Sequence, residues 1–386
     1  MKRETAIVAP AYVNGTTIIQ ELGSKGVHVV VVDIDAKAIG FKSRFTKERV
    51  VLPKVDVFAE WLVSRQDLYG AVVVPTDDFF VRQIAERHEE LSRHYKLAVA
   101  PREATLTALN KDRAYEVVRG LGYLIPESMP LDKDTDIKAV AQEFGFPAIL
   151  KPVFGIAFQR DFKTKVFVVQ NEDELRTGLQ RAMDAGHRMV LQEIVPGADE
   201  NIAACRGYVT DSGEVLGILT VVKLLSYPPV FGIGQIQEAR EVPEIVEPTR
   251  RLLESIGYRG AMFGVEWKKH DRDGRWRFVE MNARSLMSIG MSKRAGADAI
   301  DMMWRDKTGR PQRPVGRTRW GVRHANLKNA LLRHAGYPEA RKNIIEYAQL
   351  YRPPVSFHIL RLDDMRPFLA DVWPLLARRF MRGQRS

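Results

Sequence analysis

The chain has 386 residues, of which 45% are hydrophobic and 28% are charged, and its formal net charge is +11. This length exceeds what one hydrophobic core usually fills, so we expect a globular protein of two or three domains rather than a disordered chain. No apolar run approaches the roughly 20 residues that cross a bilayer, and the positive balance favours anionic partners such as nucleotides or acidic metabolites.

The first hundred residues alternate between strand-like and helix-like segments. The strand-like segments are short and nearly continuous apolar runs, as in a parallel sheet covered by helices on both faces. They occupy residues 5–10, 27–33, 71–75 and 97–100. The pattern predicts a Rossmann-like α/β domain over residues 1–105. Its first strand follows the charged start of the chain directly, without the apolar region of a secretory signal, so we expect a cytoplasmic protein.

Polar residues follow these strands where the carboxyl ends of parallel strands present side chains to a ligand. The first such turn contains no G-x-G-x-x-G sequence, so we do not expect a dinucleotide site there. The candidates for substrate contacts in this domain are Asn14, Gly15, Arg44, Thr76, Asp77 and Asp78.

A second α/β unit is predicted after residue 105. Helix-like patterns cover residues 110–121, 135–143 and 173–185, and strand-like runs cover residues 146–152, 165–169 and 190–195. This content predicts a small subdomain at about residues 124–186 and a larger one at about residues 187–308. The single cysteine, Cys205, lies in a strand-like run of the larger unit, where we interpret it as a packed hydrophobe. One cysteine excludes an internal disulfide, as is typical of a reducing cytoplasm.

The most informative segment is a predicted hairpin in the larger unit. Two strand-like runs flank a polar turn at residues 270–275. Period-2 alternation places Glu280 and Asn282 on one face of the second strand, and Glu266 on the first strand can join them. These side chains are oxygen donors of the kind that suits Mg²⁺. Arg284 follows on the same face, where a cation can meet phosphate oxygens. Each acid taken alone could instead be an ordinary surface charge on a solvated hairpin.

This Glu…Glu-x-Asn-x-Arg pattern resembles the metal-binding end of the ATP-grasp superfamily. Other blocks that resemble ATP-grasp nucleotide contacts precede it in the expected order, at residues 110–113, 146–152, 190–197 and Lys223. The blocks together span about half the chain. The resemblance implies a Rossmann-like pre-ATP-grasp domain followed by a two-subdomain ATP-grasp fold, in which residues 106–308 form the ATP-grasp domain and its small subdomain is a lid.

The resemblance also implies a role for residues in each block. Lys111 and Lys151 are implied as phosphate contacts, and Lys223 as the contact of the γ-phosphate. Lys223 and Arg284 are the implied catalytic cations. The other implied contacts are Gln192, Glu193, Ile194 and Val195 for adenine, Glu200 or Asp199 for ribose, and Glu266, Glu280 and Asn282 for two Mg²⁺ ions, with Mn²⁺ as an alternative.

The segment after Lys151 departs from many ATP-grasp enzymes, which have a Gly- and Ser-rich loop there. Residues 154–165 contain one glycine, three aromatics and three cations, and resemble the corresponding segment of D-aspartate ligase-like carboxylate–amine ligases. We predict a phosphate-covering flap in which Lys163 and Lys165 contact phosphates and Phe158 excludes water. An exposed hairpin is the alternative.

A second departure concerns Gly264, two residues before Glu266. The related D-alanine ligases place an arginine here for the tetrahedral intermediate. If an arginine of this chain stabilises a tetrahedral intermediate, we therefore expect it to be Arg284 or Arg240.

The resemblance implies ATP-dependent amide formation between a small acidic carboxylate and an amine, through an acyl phosphate, with release of ADP and phosphate. The alternatives are another ATP-grasp chemistry such as carboxylation through carboxyphosphate, an ATP-binding regulator without turnover, and a basic membrane or nucleic-acid adaptor. Nucleic acid is the least expected partner because no helix-turn-helix, zinc or RNA-binding signature is present. A homo-oligomer is compatible with the sequence.

Residues 309–386 are predicted to form a basic C-terminal appendage, which begins with a Pro- and Arg-rich stretch at residues 309–319. Near its end, apolar residues such as Trp373 stand beside Arg378 and Arg379. This tail is either a solvated helix end or a peripheral membrane contact.

Overall fold

The structure is a computed structural model that describes residues 4–153, 155–164, 166–229, 232–314 and 316–383. The N-terminal domain contains a five-stranded parallel sheet in the order β3-β2-β1-β4-β5. Its elements are β1 Thr5–Ala9, α1 Val13–Gly23, β2 His28–Asp33, β3 Thr46–Val51, α2 Phe58–Ser64, β4 Val72–Pro75, α3 Asp78–Glu86, α4 His88–Ser92, β5 Lys96–Leu97 and α5 Arg102–Leu109. The central strands are buried on both faces, as the apolar runs predict. The Rossmann-like architecture is confirmed.

The lid is an antiparallel sheet in the order β6-β9-β7-β8, covered by helices. With the helix that leads into it, its elements are α6 Lys111–Gly120, β6 Ser128–Leu131, α7 Ile137–Phe144, β7 Ala148–Pro152, α8 Gly155–Phe162, β8 Phe167–Val169, α9 Glu172–Asp184 and β9 Met189–Glu193. The lid therefore extends past its predicted end at residue 186, because β9 pairs with β7 and β6 at the centre of the sheet.

The segment predicted as a flap is a helix rather than a hairpin or an open loop. Phe158 on α8 is fully buried, and its ring packs against Phe162, Phe167 and His187 inside the lid. The expectation that Phe158 covers the phosphates is therefore corrected: this aromatic ring fills the hydrophobic core of the lid.

Replacing Phe158 with Ala is expected to destabilise the lid by about 3–5 kcal/mol, the range for truncating a buried Phe. Hydrogen exchange in the lid strands measures this as faster exchange of their amides. Phe79→Ala is the control, because Phe79 on α3 is 46% exposed. Unchanged exchange in the Phe158→Ala lid would contradict the packing.

The third unit is built on a seven-stranded sheet in the order β14-β13-β10-β11-β12-β15-β16. Its elements are β10 Ile202–Val209, β11 Val215–Tyr227, β12 Ile233–Ala239, α10 Val246–Ser255, β13 Ala261–Lys269, β14 Trp276–Asn282, α11 Gly290–Arg294, α12 Ala299–Lys307, β15 Arg323–Ala325, α13 Leu327–Gly336, α14 Ile344–Leu350, β16 Val355–Phe357 and α15 Arg366–Gly383. Cys205 is fully buried in β10. In the described part of the chain, no helix combines the length and the hydropathy needed to span a membrane.

Residues 309–386 are not a separate appendage, which corrects the predicted boundary. Strand β15 pairs with β12, and β16 pairs with β15, so the C-terminal residues extend the large sheet. Further on, the carboxylate of Asp364 accepts hydrogen bonds from the Ser43 hydroxyl at 2.6 Å and from the Arg44 amide at 3.0 Å. The C-terminal segment therefore joins the large sheet to the N-terminal domain.

Candidate active site

The predicted metal ligands lie together on one face of the β13–β14 hairpin. Glu266 is directly opposite Glu280 in the antiparallel register, and Gly264 is opposite Asn282. The Asn282 amide donates to Glu280 Oε1 at 3.4 Å. Period-2 alternation therefore places Glu280 and Asn282 on one face as the sequence predicts, and a register shift between Glu266 and Trp267 brings Glu266 opposite Glu280.

This donor set fits a hard divalent cation. Two carboxylates and an amide supply oxygen ligands of the type that Mg²⁺ takes in proteins. Among the described residues, no group of three His, Cys, Asp or Glu side chains converges to bind a metal. The Glu266, Glu280 and Asn282 group contains two acids and an amide, and its oxygen donors make it the candidate metal site.

Lys223 on β11 reaches the same face. Its Nζ lies 3.1 Å from Glu266 Oε2, and both side chains are mostly buried. Burial by itself would lower the pKa of Lys223, but the adjacent Glu266 carboxylate outweighs it and the pKa is raised. Lys223 is therefore a firmly charged group beside the candidate metal site.

Lys111 and Lys151 approach from the lid side. The Asn110 side chain caps α6 by accepting from the amides of Asp112 and Arg113, which fixes Lys111 in the first turn. Lys111 Nζ lies 3.6 Å from Glu280 Oε2. Burial and the neighbouring Lys151 ammonium lower the pKa of Lys111 to about 8. Two adjacent ammonium groups of this kind favour a polyanion such as a phosphate chain.

Tyr115, which the sequence analysis did not single out, links Lys151 and Gln192 to strand β14. Lys151 Nζ donates to Gln192 Oε1 at 3.3 Å, and Gln192 Nε2 donates to the Tyr115 hydroxyl at 2.9 Å. That hydroxyl donates to the carbonyl oxygen of Val279 on β14 at 3.2 Å. The sequence spacing could have identified Tyr115, because it follows Lys111 by four residues and so lies on the same helix face.

The predicted adenine segment lies at the end of β9. The Glu193 carboxylate pairs with Arg277 Nε at 3.0 Å, and the Glu193 amide donates to the Glu127 carbonyl oxygen at 2.9 Å. Ile194 is half-buried and Val195 is buried. Because the Gln192 side chain and the Glu193 amide already have partners, we expect the base contacts of this segment to come from other backbone groups.

The remaining predicted contacts are Glu200, Lys163 and Lys165. Glu200 is exposed, in a 3-10 turn formed by Asp199–Asn201. Lys163 is exposed and its Nζ donates to the Arg160 carbonyl oxygen at 2.7 Å, so the structure does not bring it to the other phosphate lysines. Lys165 lies outside the described residues.

Arg284 is anchored to the N-terminal domain. Its guanidinium donates to both Asp78 oxygens, at 2.7 and 3.1 Å, in a two-armed ion pair. Nearby, the Asn14 amide donates to the carbonyl oxygens of Thr76 and Ser285 at 2.5 and 3.2 Å. Burial raises the pKa of Asp77, which caps α3, to about 6. Asn14 and Asp78 therefore meet the chain immediately after the candidate metal site, whereas Arg44 bonds to residues 363–364 of the C-terminal segment.

Asp78→Asn is expected to lower the rate of the reaction at this site by about 10- to 100-fold, the range for losing a group that orients a ligand. The carboxamide cannot hold Arg284 with two charged hydrogen bonds. Steady-state kinetics would show a lower kcat with little change in the KM for ATP. Asp56→Asn is the control, since Asp56 is exposed and its one ion pair among the described residues, with Lys54, is long at 4.0 Å and therefore weak. An unaltered kcat in Asp78→Asn would contradict the orienting role.

Arg206 is a second functional candidate that the sequence analysis missed. It lies on β10 directly opposite Gly264, and 3% of its surface is exposed. Arg240 does not reach this position: it is half exposed and pairs with Glu238 at 2.9 Å. A strand pattern alone does not reveal which residue of β10 lies opposite Gly264, because that depends on the register.

The three domains together have the ATP-grasp fold. No family model matches the chain. The chain is 22% identical over 290 residues to the D-aspartate ligase of Enterococcus faecium, covering 72% of this chain and 66% of that protein. It is 25% identical over 190 residues to the D-alanine–D-alanine ligase of Pseudomonas entomophila, covering 48% and 57%. The chain therefore spans 66% of the first ligase and 57% of the second.

Solved structures support the same fold. The biotin carboxylase domain of the Hydrogenobacter thermophilus 2-oxoglutarate carboxylase, solved with MgADP, ADP and bicarbonate, superposes with a TM-score of 0.66 at 17% identity. The superposition covers 83% of this chain and 73% of that one. The predicted fold is confirmed: the chain has the ATP-grasp fold and is similar to carboxylate–amine ligases.

Proposed function

We propose that this protein is an ATP-dependent carboxylate–amine ligase. The observation that carries the proposal is the convergence of three lysines and three oxygen ligands at one site: Lys111 and Lys151 from the lid side, Lys223 from β11, and Glu266, Glu280 and Asn282 from the hairpin. Opposite charges in this arrangement suit a nucleotide triphosphate bound with divalent metal ions. The named relatives are ligases, which supports the reaction class.

In the proposed complex, Glu266, Glu280 and Asn282 hold two Mg²⁺ ions, with Mn²⁺ as an alternative. When bound, these ions supply positive charge to the phosphate oxygens between which the transferred group moves. Lys111 and Lys151 bind the nucleotide phosphates, and Lys223 binds the γ-phosphate. Lys163 joins them only if it leaves the Arg160 carbonyl oxygen, which it contacts in the described conformation. Lys165, which lies outside the described residues, is proposed as a further phosphate contact.

The proposed reaction has two steps. A substrate carboxylate oxygen attacks the γ-phosphorus, the bond to the ADP oxygen breaks, and an acyl phosphate forms. The amine then attacks the acyl carbon, loses a proton and displaces inorganic phosphate. The protein contributes position and charge rather than a covalent nucleophile: Lys223 stabilises the transferred phosphoryl group, and Arg284 stabilises the acyl-phosphate oxygens.

The test is ADP formation with MgATP and panels of carboxylates and amines, with products identified by mass. We expect ADP release to require one carboxylate and one amine, and the product to equal their sum less one water. ADP formation that requires bicarbonate instead would favour carboxylation through carboxyphosphate. ATP binding without any turnover across the panels would contradict the proposal and favour a regulator.

The C-terminal helix α15 is proposed to contact an anionic membrane surface. Leu369 and Trp373, four residues apart on one face, are 51% and 66% exposed, and three arginines follow at 378, 379 and 382. Apolar side chains beside cations favour such a surface.

We expect the protein to sediment with vesicles that contain phosphatidylserine, and to be released at high salt, which screens the arginines. Leu369→Ser with Trp373→Ser should reduce binding. Ile345→Ser is the control because Ile345 is equally exposed, at 66%, on α14. Equal binding of wild type to neutral and anionic vesicles, or no binding, would contradict the proposal and leave α15 a solvated helix end.

A further inference from the structure

Among the described residues, one buried arginine next to the candidate metal site forms no ion pair. Arg206 Nη1 donates to the Ser288 hydroxyl at 2.6 Å, and its Nη2 donates to Gln237 Oε1 at 3.1 Å. Its Nε has no hydrogen-bond partner among the described residues. Burial of a guanidinium among neutral groups is unfavourable unless a counter-ion arrives. Arg206 is therefore a candidate binding site for an anion.

The strand registers place Arg206 on the same face as the metal ligands. Arg206 is opposite Gly264, and Ala204, two residues earlier on β10, is opposite Glu266. Gln237 is opposite Lys223. The carboxylate that stabilises the Arg206 charge at a distance is Glu266, which already pairs with Lys223 and belongs to the metal site. Arg206 thus lies beside the reacting groups while lacking a carboxylate of its own.

Local packing explains why the guanidinium comes from β10. A Cβ at position 264 would approach Leu286 Cδ1 to 2.6 Å, so no larger residue fits there without moving Leu286. Ser288 Oγ also donates to Gln237 Oε1 at 2.6 Å. Arg206, Ser288 and Gln237 therefore form a closed triangle of hydrogen bonds that fixes the guanidinium, while the edge that carries its buried Nε has no hydrogen-bond partner among the described residues.

The position of this edge separates it from the phosphate end of the site. Neighbouring strands lie about 4.8 Å apart, and β13 separates β10 from β14. The backbone at Arg206 is thus roughly 10 Å from the strand that carries Glu280 and Asn282. Its side chain points further away, towards Gln237 on β12. One carboxylate cannot bind both at the Asn282–Arg284 end and at Arg206, so Arg206 is placed for a second anionic group.

We propose that Arg206, positioned by Gln237 and Ser288, binds a non-reacting carboxylate, so that a substrate of this protein carries two carboxylates. The inference rests on the proposed ligase function and specifies its substrate class. A guanidinium binds a carboxylate with two parallel hydrogen bonds, which adds direction as well as charge. A monocarboxylate substrate would leave this buried cation without a partner, so the site discriminates against it.

The test is calorimetric binding to the protein saturated with Mg²⁺ and a non-hydrolysable ATP analogue. The probes are succinate, aspartate and glutamate, each compared with a monocarboxylate of equal chain length: butyrate, 2-aminobutyrate and 2-aminopentanoate. We expect at least one dicarboxylate to bind tenfold or more tightly than its partner. Arg206→Gln should abolish that preference and leave the affinity for the nucleotide unchanged.

Two further variants keep the test independent of folding. Gln237→Glu retains Arg206 but supplies an internal carboxylate where the amide oxygen lies 3.1 Å from Nη2. It should remove the preference and raise the melting temperature of the ligand-free protein. Arg323→Gln is the control, because Arg323 is equally buried but pairs with Glu238 at 2.7 Å on the opposite face. It should lower the melting temperature and keep the preference.

Three results would overturn the inference while leaving the ligase proposal intact. These are wild-type binding without a dicarboxylate preference, a preference that survives in Arg206→Gln, and a loss of nucleotide affinity in Arg206→Gln, which would assign Arg206 to the phosphate site. Failure of the wild type to bind the nucleotide with Mg²⁺ would contradict the ligase proposal itself. The results that would contradict the dicarboxylate proposal therefore differ from those that would contradict the ligase proposal.

Discussion

Glu280→Gln is expected to reduce Mg²⁺-dependent turnover by about 10²- to 10³-fold, because bound metal ions supply several kcal/mol of charge stabilisation and about 1.4 kcal/mol corresponds to a factor of ten. Glu280 is preferred to Glu266 for this test because its ion pair with Lys111, at 3.6 Å, is longer than the 3.1 Å pair between Glu266 and Lys223, so its replacement disturbs a neighbouring lysine less. The carboxamide keeps the volume and the contact with Asn282. The measurement is ADP formation as a function of Mg²⁺ concentration.

Glu247→Gln is the matched control. Glu247 is a 63% exposed acid that forms an i,i+4 pair with Arg251 on α10, so the same chemical change is made away from the site. We expect its Mg²⁺ dependence to match that of the wild type. A Glu280→Gln protein with normal activity at limiting Mg²⁺ would remove Glu280 from the metal site.

Lys151→Ala is expected to weaken ATP binding by about 1.5–3 kcal/mol, the range for hydrogen bonds to charged groups, or roughly 10- to 150-fold in Kd. Lys151 lies beside Lys111 and bonds to Gln192, so its loss removes a cation from the middle of the predicted phosphate path. Calorimetry with MgATP measures the change.

Lys138→Ala provides the comparison, since Lys138 is an exposed lysine on lid helix α7. Its removal should leave the ATP affinity unaltered. If Lys151→Ala binds ATP as the wild type does, the phosphate path does not run past Lys151. Lys163→Ala, measured in the same series, decides whether the end of α8 reaches the phosphates in the bound state.

The strand patterns predicted the site best where period-2 alternation and pairing register agree. Glu280 and Asn282 lie two residues apart on one strand, so their shared face follows from sequence spacing. Glu266 joins them only because the register shifts between Glu266 and Trp267, an irregularity that spacing and a short turn do not predict. The parallel sheet of the N-terminal domain was predictable for a similar reason, because its buried strands are nearly uninterrupted apolar runs.

Features that depend on distant pairing were not predictable. Strands β15 and β16 have three residues each, and β15 contains Arg323 and His324, so no strand pattern marks them. They form strands because β12 offers an edge for pairing. Arg206 escaped notice for the same reason: its position opposite Gly264 depends on the β10–β13 register, and its burial depends on residues 285–289 covering it.

The segment after Lys151 shows a different limit. The sequence analysis predicts that Phe158 covers the phosphates, but its ring packs on Phe162 and Phe167 in the lid. The four-residue spacing of Phe158 and Phe162 is also that of one face of a helix. In the structure this segment is a helix, and that face packs into the lid core.

Transfer of ¹⁸O from a labelled carboxylate substrate tests the central claim most directly. The proposed acyl phosphate requires a carboxylate oxygen to bond to the γ-phosphorus and to leave with the phosphate when the amine attacks. We therefore predict one ¹⁸O atom in the released inorganic phosphate for each amide formed. Amide formation with unlabelled phosphate, or with ¹⁸O in AMP and release of pyrophosphate, would contradict the account.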